Sequence, residues 1–162
     1  MRPNQTEMSY HRLVARVLVT GMSGAGKTTV LAELSLRGHR TVDTDYDGWL
    51  RPDGTWDGQR MSHLLADERD VIVSGAVDNQ GLFYDRFEHV VLISAPLGVL
   101  IERVSRRANN PYGKTAEQRA EIARYVQTVE PLLRQGATLE LDGQRPMLEI
   151  ADIIEALVVQ AP

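Results

Sequence analysis

RVLVTGMSGAGKT, residues 16–28, decides the fold. Arg16 to Thr20 is rich in β-branched residues and stops at Gly21, the pattern of a short buried strand. From Lys27 onward the apolar spacing changes: Val30, Leu31 and Leu34 fall on one side of a helix, and Gly38 supplies its C-terminal cap. Between strand and helix lies a loop containing Gly21, Gly24 and Gly26. The first structural unit is therefore strand, glycine loop, helix.

The same alternation continues downstream. Thr41–Thr44 reads as a second strand, and Val71–Ser74 and Val90–Ser94 are near-continuous apolar runs, as expected of strands covered on both faces in a parallel sheet. Pro96 opens a helix in which Leu97, Leu100, Ile101 and Val104 repeat on a buried side and leave Arg103, Arg106 and Arg107 outside it. Asn109–Lys114 is turn-rich, and Thr115 with Gln118 forms a capping box for the helix that follows, which Pro131 kinks or divides. A strand over residues 137–141 and an amphipathic helix from about Pro146 close the chain. Residues 46–70, polar and glycine-dotted, read as a surface excursion, and residues 1–12 as a flexible arm ahead of one domain over 13–162. Strands separated by helices imply parallel pairing with right-handed crossovers and a ligand at the carboxyl ends of the strands.

Composition removes several classes of function. Of 162 residues, 43% are hydrophobic and 25% charged, the balance of a globular domain and not of a disordered or fibrous chain. Eighteen basic against twenty-two acidic residues give a formal net charge of -4, so nucleic acid is an unfavoured partner. The absence of cysteine excludes disulfides, thiolate metal sites and thiol nucleophiles, and suits a reducing cytoplasm. No apolar run reaches the roughly 20 residues of a membrane span. Histidines 11, 39, 63 and 89 show no metal-ligand spacing.

Residues 21–28, Gly-Met-Ser-Gly-Ala-Gly-Lys-Thr, match G-x-x-x-x-G-K-[ST], the Walker A pattern, directly after a strand and before a helix. Glycines permit close backbone approach, successive amides form an anion nest, and the helix N-terminus adds partial positive charge. Gly21, Ser23, Gly24, Ala25, Gly26, Lys27, Thr28 and Thr29 are thus the expected nucleotide-binding residues. Lys27 reaches the β- and γ-phosphates, and the Thr28 hydroxyl goes to Mg2+.

The rest of the chain selects among uses of the nucleotide. An N-K-x-D base reader of GTP switches is absent, and the strand at 71–74 ends in Ser-Gly where a hydrolytic ATPase usually carries a carboxylate. Asp43 and Asp45 lie two apart at the end of the second strand, where alternation places both on one face. One carboxylate is expected to hold Mg2+ and the other to take the proton of an acceptor hydroxyl. The arginines at 103, 106 and 107 offer planar cations for a transferring phosphoryl group.

The GMSGAGKT loop, VDTD at 42–45, LGVLIERVSRR at 97–107 and the closing strand and helix together resemble the small-molecule and nucleoside monophosphate kinases of the P-loop class, especially shikimate kinase and gluconate kinase. The resemblance spans about residues 14–158. It implies an α/β three-layer sandwich whose five parallel strands take the order 2-3-1-4-5, with a small lid at about 106–115 and an acceptor-binding segment at about 46–70. It further implies ATP and Mg2+ as cofactors, Asp43 near the metal, Asp45 at the acceptor, Arg103 before the lid, and Arg106 or Arg107 on the transferring phosphate. Shikimate kinases carry a glycine run after the third strand, and adenylate-type kinases an Asp-Gly followed by Pro-Arg. Residues 74–81, SGAVDNQG, carry neither, which points away from shikimate and AMP. Gly75, Asp78 and Asn79 are the expected pocket floor, with Trp49, Arg51, Trp56 and Arg60 as candidate acceptor contacts. The expected activity is transfer of the γ-phosphate to a small polar hydroxyl or phosphate acceptor. The alternative is a nucleotide-binding ATPase or switch-type partner protein that phosphorylates no small molecule.

Overall fold

The computed structural model describes residues 15–158, so the arm expected at 1–12 lies outside the described residues. Five parallel strands, β1 (Arg16–Thr20), β2 (Thr41–Asp43), β3 (Val71–Ser74), β4 (His89–Ser94) and β5 (Leu139–Asp142), form one sheet in the order β2-β3-β1-β4-β5. Six helices accompany them: α1 (Lys27–Leu36), α2 (Gly58–Asp67), α3 (Leu97–Arg106), α4 (Ala116–Thr128), α5 (Glu130–Gly136) and α6 (Met147–Val158). β1 is central, in register with β3 from Arg16↔Val71 to Val19↔Ser74 and with β4 from Val17↔His89 to Thr20↔Leu92. Its last four residues are buried, as the apolar run requires when both faces are covered.

Alternation along β1 divides the interior into two layers. Val17 and Val19 join Val30, Leu31 and Leu34 of α1, Leu100 and Val104 of α3, and Ile150 and Ile154 of α6. Leu18 faces the other way, into a second cluster with Val71 and Val73 of β3, Met61, Leu64 and Leu65 of α2, Trp49, Trp56, Phe83 and Phe87. The stretch at 46–70 is therefore no mere surface excursion: it carries α2, capped by the Asp57 side chain on the Arg60 amide, and closes one face of the sheet.

Local signals act as the sequence requires. α1 ends at Arg37, with Gly38 at φ 93° and the His39 amide returning to Leu34 O at 3.1 Å. Both halves of the Thr115–Gln118 capping box form, and Pro131 separates α5 from α4. The last strand sits slightly later than its apolar pattern suggests, at 139–142, because the Thr138 side chain and amide are engaged with the backbone of Val90 at the strand entrance. A 3-10 segment at Gln80–Arg86 has no counterpart in the sequence reading. It depends on the buried Gln80, whose amide nitrogen donates to Thr20 Oγ1 and Tyr84 OH and whose Oε1 accepts from the Val77 amide. None of the helices among the described residues is long and apolar enough to cross a membrane.

The second layer closes around Trp56. It is fully buried, meets Phe83 edge to face at 5.8 Å, and donates its indole N–H to Thr44 Oγ1 at 2.9 Å. Thr44 Oγ1 in turn donates to Ser74 O at 2.7 Å. Gly75 passes directly beneath this pair, and a Cβ there would strike Thr44 Oγ1 and lie 3.1 Å from Trp56 Cζ2. Gly75→Ala is accordingly expected to destabilise the fold by about 1–3 kcal/mol through overpacking, read as a lower urea midpoint at unchanged slope.

Candidate active site

Every strand of the sheet points its carboxyl end toward one rim, and the loop after β1 opens there. Gly26 is the N-cap of α1 at φ 103°, a left-handed conformation that glycine adopts without strain. No side chain caps α1 and no acid lies in its first turn, so its amides and positive dipole end are left uncompensated by the protein. The Lys27 ammonium folds back over the loop, donating to Gly21 O at 2.6 Å and Met22 O at 3.1 Å.

Across the cleft, the Thr28 hydroxyl donates to Asp43 Oδ2 at 2.9 Å, and Asp43 Oδ1 accepts the Asp45 amide at 3.1 Å. β2 ends at Asp43, so strand alternation does not bring Asp45 to the same side. A turn does, with the Tyr46 amide closing onto Asp43 O. Asp45 keeps solvent contact, yet crowding by the cleft walls raises its pKa, an effect offset in part by Lys27 and Arg107 and reinforced by Asp43. Burial pulls the Lys27 ammonium down to about 8, against the pull of Asp45 and Asp43.

The arginines divide. Arg103 spans the cleft wall, donating to Gly24 O at 3.2 Å and Gly143 O at 2.7 Å, and so ties the glycine loop to the turn after β5. Arg107 donates to Ser23 Oγ at 3.1 Å and Tyr112 O at 2.9 Å, and burial lowers its pKa while Tyr46 and Asp45 face it. Arg106 is not brought to the site: it is 79% exposed and pairs with Glu102 at 3.0 Å on the outer side of α3. The segment expected as a lid, about residues 106–115, is laced by Lys114 Nζ to Arg107 O, by the Gly113 amide to Gln118 Oε1, and by Tyr112 OH to Glu121.

A cleft of about 1100 Å³ is lined by residues 21–30, Asp45, Tyr46, residues 76–78, Arg103, Arg107 and the facing side of α4, with Asp43 just behind this lining, bonded to Thr28. A shallower hollow of about 460 Å³ beside Pro96 and Arg134 contains none of them. Thr29 lies on the cleft wall and is exposed. Of the expected floor, only Asp78 faces the cleft. Gly75 lies under Trp56, and the Asn79 amide is spent on the Trp56 backbone at 2.9 and 3.1 Å. Trp49, Arg51, Trp56 and Arg60 do not line it either. The guanidinium of Arg60 stacks 3.9 Å from the Trp49 ring and donates to Asp47 O, and Arg51 leans toward Asp57. Missed in the sequence were Tyr112, Gly143 and Arg145. The turn Asp142-Gly143-Gln144-Arg145 follows a strand on the ligand side of the sheet, and that position was the available signal.

Comparison with known proteins agrees with this architecture. Shikimate kinase from Acinetobacter baumannii in complex with shikimate superposes with a TM-score of 0.69 at 20% identity, over 91% of this chain and 94% of that one. A gluconokinase from Sinorhizobium meliloti 1021 gives 0.61 at 20% identity, over 91% and 93%. A sugar kinase from Janibacter sp. HTCC2649 gives 0.58 at 18% identity, over 91% and 96%. These likenesses establish the small-molecule P-loop kinase fold. No curated protein sequence matches significantly. The family model described as AAA domain matches residues 17–124, which is more than half of the chain and includes the glycine loop, β2 and the arginines of α3. The chain therefore belongs to the AAA domain family of P-loop proteins.

Proposed function

We propose that the protein is an ATP- and Mg2+-dependent phosphotransferase acting on a small polar hydroxyl or phosphate acceptor in the cytoplasm. The observation that carries this reading is the convergence of one ammonium, Lys27, with two carboxylates, Asp43 and Asp45, at the mouth of an uncapped helix.

The residues fit the cofactors. The uncompensated α1 amides and the glycine loop suit a polyphosphate, and the Thr28–Asp43 pair offers only oxygen donors, as a hard divalent cation prefers. Mg2+ held by Thr28 and Asp43 would supply positive charge that neutralises the phosphates. Lys27 then exchanges its carbonyl partners for phosphate oxygens and offsets charge that grows as the phosphoryl group moves. Arg107, facing Asp45, is positioned to do the same from the other side. Asp45 has no hydrogen bond on its carboxylate among the described residues, so that carboxylate is available to accept the acceptor's proton as its oxygen attacks. Residues from about 106 to 115 serve as the lid that excludes water, with Tyr112 and Arg107 as its hinge-side contacts.

Three outcomes test this reading. Lys27→Ala is expected to leave the fold intact and to lower phosphoryl transfer by about a hundredfold to a thousandfold in a radiolabelled-ATP assay. Asp45→Asn should retain nucleotide affinity by calorimetry while transfer falls by about a hundredfold or more; equal activity would remove Asp45 from the chemistry. The third is a pH profile. Lys27 titrates near 8, and a bound polyphosphate raises that value, so binding takes up a proton above pH 8. Affinity should be flat below that point and decline above it by up to about tenfold per pH unit. Lys27→Arg, always charged, should abolish the slope.

A further inference from the structure

The acceptor half of the cleft carries a charge pattern of its own. It is formed by the chain between β2 and the 3-10 segment, where Asp45, Tyr46, Leu50, Val77 and Asp78 face the cavity. Among the described residues this half contributes no cation to the lining: Lys27, Arg103, Arg107 and Arg145 all come from the glycine loop, from α3 and its C-terminal end, or from the turn after β5. The basic residues nearest in sequence are occupied elsewhere. Arg60 is stacked on Trp49 and bonded to Asp47 O at 2.6 Å, and Arg51 is directed to Asp57 at 4.0 Å. Asp78 has neither an ion-pair nor a hydrogen-bond partner among the described residues, although it faces the cavity. Asp45 shares its field with Lys27 and Arg107, both of which point toward the loop that takes the phosphates.

Taking the phosphotransferase reading as given, we infer that the acceptor is a cationic hydroxyl compound, an amine-bearing polyol or cyclitol, whose ammonium pairs with Asp78 while a hydroxyl is presented to Asp45. An anionic acceptor would bring its carboxylate or phosphate against two aspartates with no arginine from the same wall to receive it, and like charges held together are unfavourable. A cationic acceptor gives Asp78 its missing partner. It also restores the balance at Asp45 once Lys27 is engaged by phosphates. Leu50, 37% exposed, and Tyr46, 47% exposed, provide apolar surface for the carbon skeleton.

The test uses three open-chain six-carbon probes that differ in charge: D-glucamine, sorbitol and gluconate. Each is bound to the full-length protein with Mg2+ and a nonhydrolysable ATP analogue, and affinity is read by ligand-observed NMR, so that binding is measured whether or not phosphate moves. The expected order is glucamine tightest and gluconate weakest. Asp78→Asn should weaken glucamine by about fivefold and leave sorbitol unchanged, as the loss of an exposed charge pair predicts. Asp78→Lys should invert the order. An order led by gluconate, or a flat series in which the three probes bind alike or none binds, overturns the inference. Parallel transfer assays with ATP separate it from the reading beneath it. Phosphorylated gluconate would leave the kinase standing and remove the cationic acceptor. Tight glucamine without phosphate transfer would remove the kinase reading, and the acceptor inference with it, and leave only a cation-binding pocket at Asp78.

Discussion

The backbone turn from β1 into α1 is the constraint on which the other features depend. A strand flanked on both sides by parallel neighbours has no freedom to shift along its axis, because its amides and carbonyls are committed to β3 and β4. The first residue free of the ladder is Gly21, and the first helical residue is Lys27. The loop between them is therefore fixed at both ends by the most buried part of the molecule. Its amides are aimed by the sheet and not by side chains, which is why so little side-chain chemistry is needed to make an anion site. Arg103 extends this rigidity by tying Gly24 to Gly143, so two loops from opposite ends of the sequence act as one wall.

Much of this was legible in the sequence where the physical signal was local. Apolar runs without alternation marked the buried strands, Gly38 and the Thr115–Gln118 pair marked helix ends, and the glycine loop stood in its required context. The cleft partners of the loop were legible in part. Thr28 followed from the loop pattern and Asp43 from the family resemblance, and the two meet, whereas the convergence of Asp45 came from a turn and not from strand alternation. What the sequence hid depends on long-range pairing. Trp49 and Trp56 sit in a polar stretch whose pattern does not say where they dock; Trp56 meets Thr44, Gly75 and Phe83 on other elements, and Trp49 stacks with Arg60. Gln80 is buried only because three partners satisfy it. Arg106 and Arg107 are adjacent in sequence but diverge, since α3 ends at Arg106 and the chain turns inward.

Charge in the cleft is arranged by origin. Positive groups come from the loop, from the C-terminal part of α3 and from the turn after β5, while the carboxylates come from the turn after β2, the loop after β3 and, with Glu121, from α4. The Asp43 and Asp45 carboxylates are held where the ammonium of Lys27 can feel them. Burial works against both signs at once, lowering Lys27 and raising Asp45, so either group is closer to neutrality than it would be in water. Such poised groups exchange protons and partners with little reorganisation.

The sheet's two borders have a consequence beyond the cleft. One border is β2, only three residues long, and the other is β5, four residues long with Glu140 held to Arg134 and Ser94. A foreign strand seeking to extend the ladder finds few free amides on either border. The brevity that lets the chain turn early toward the rim also makes the protein a poor template for its own aggregation.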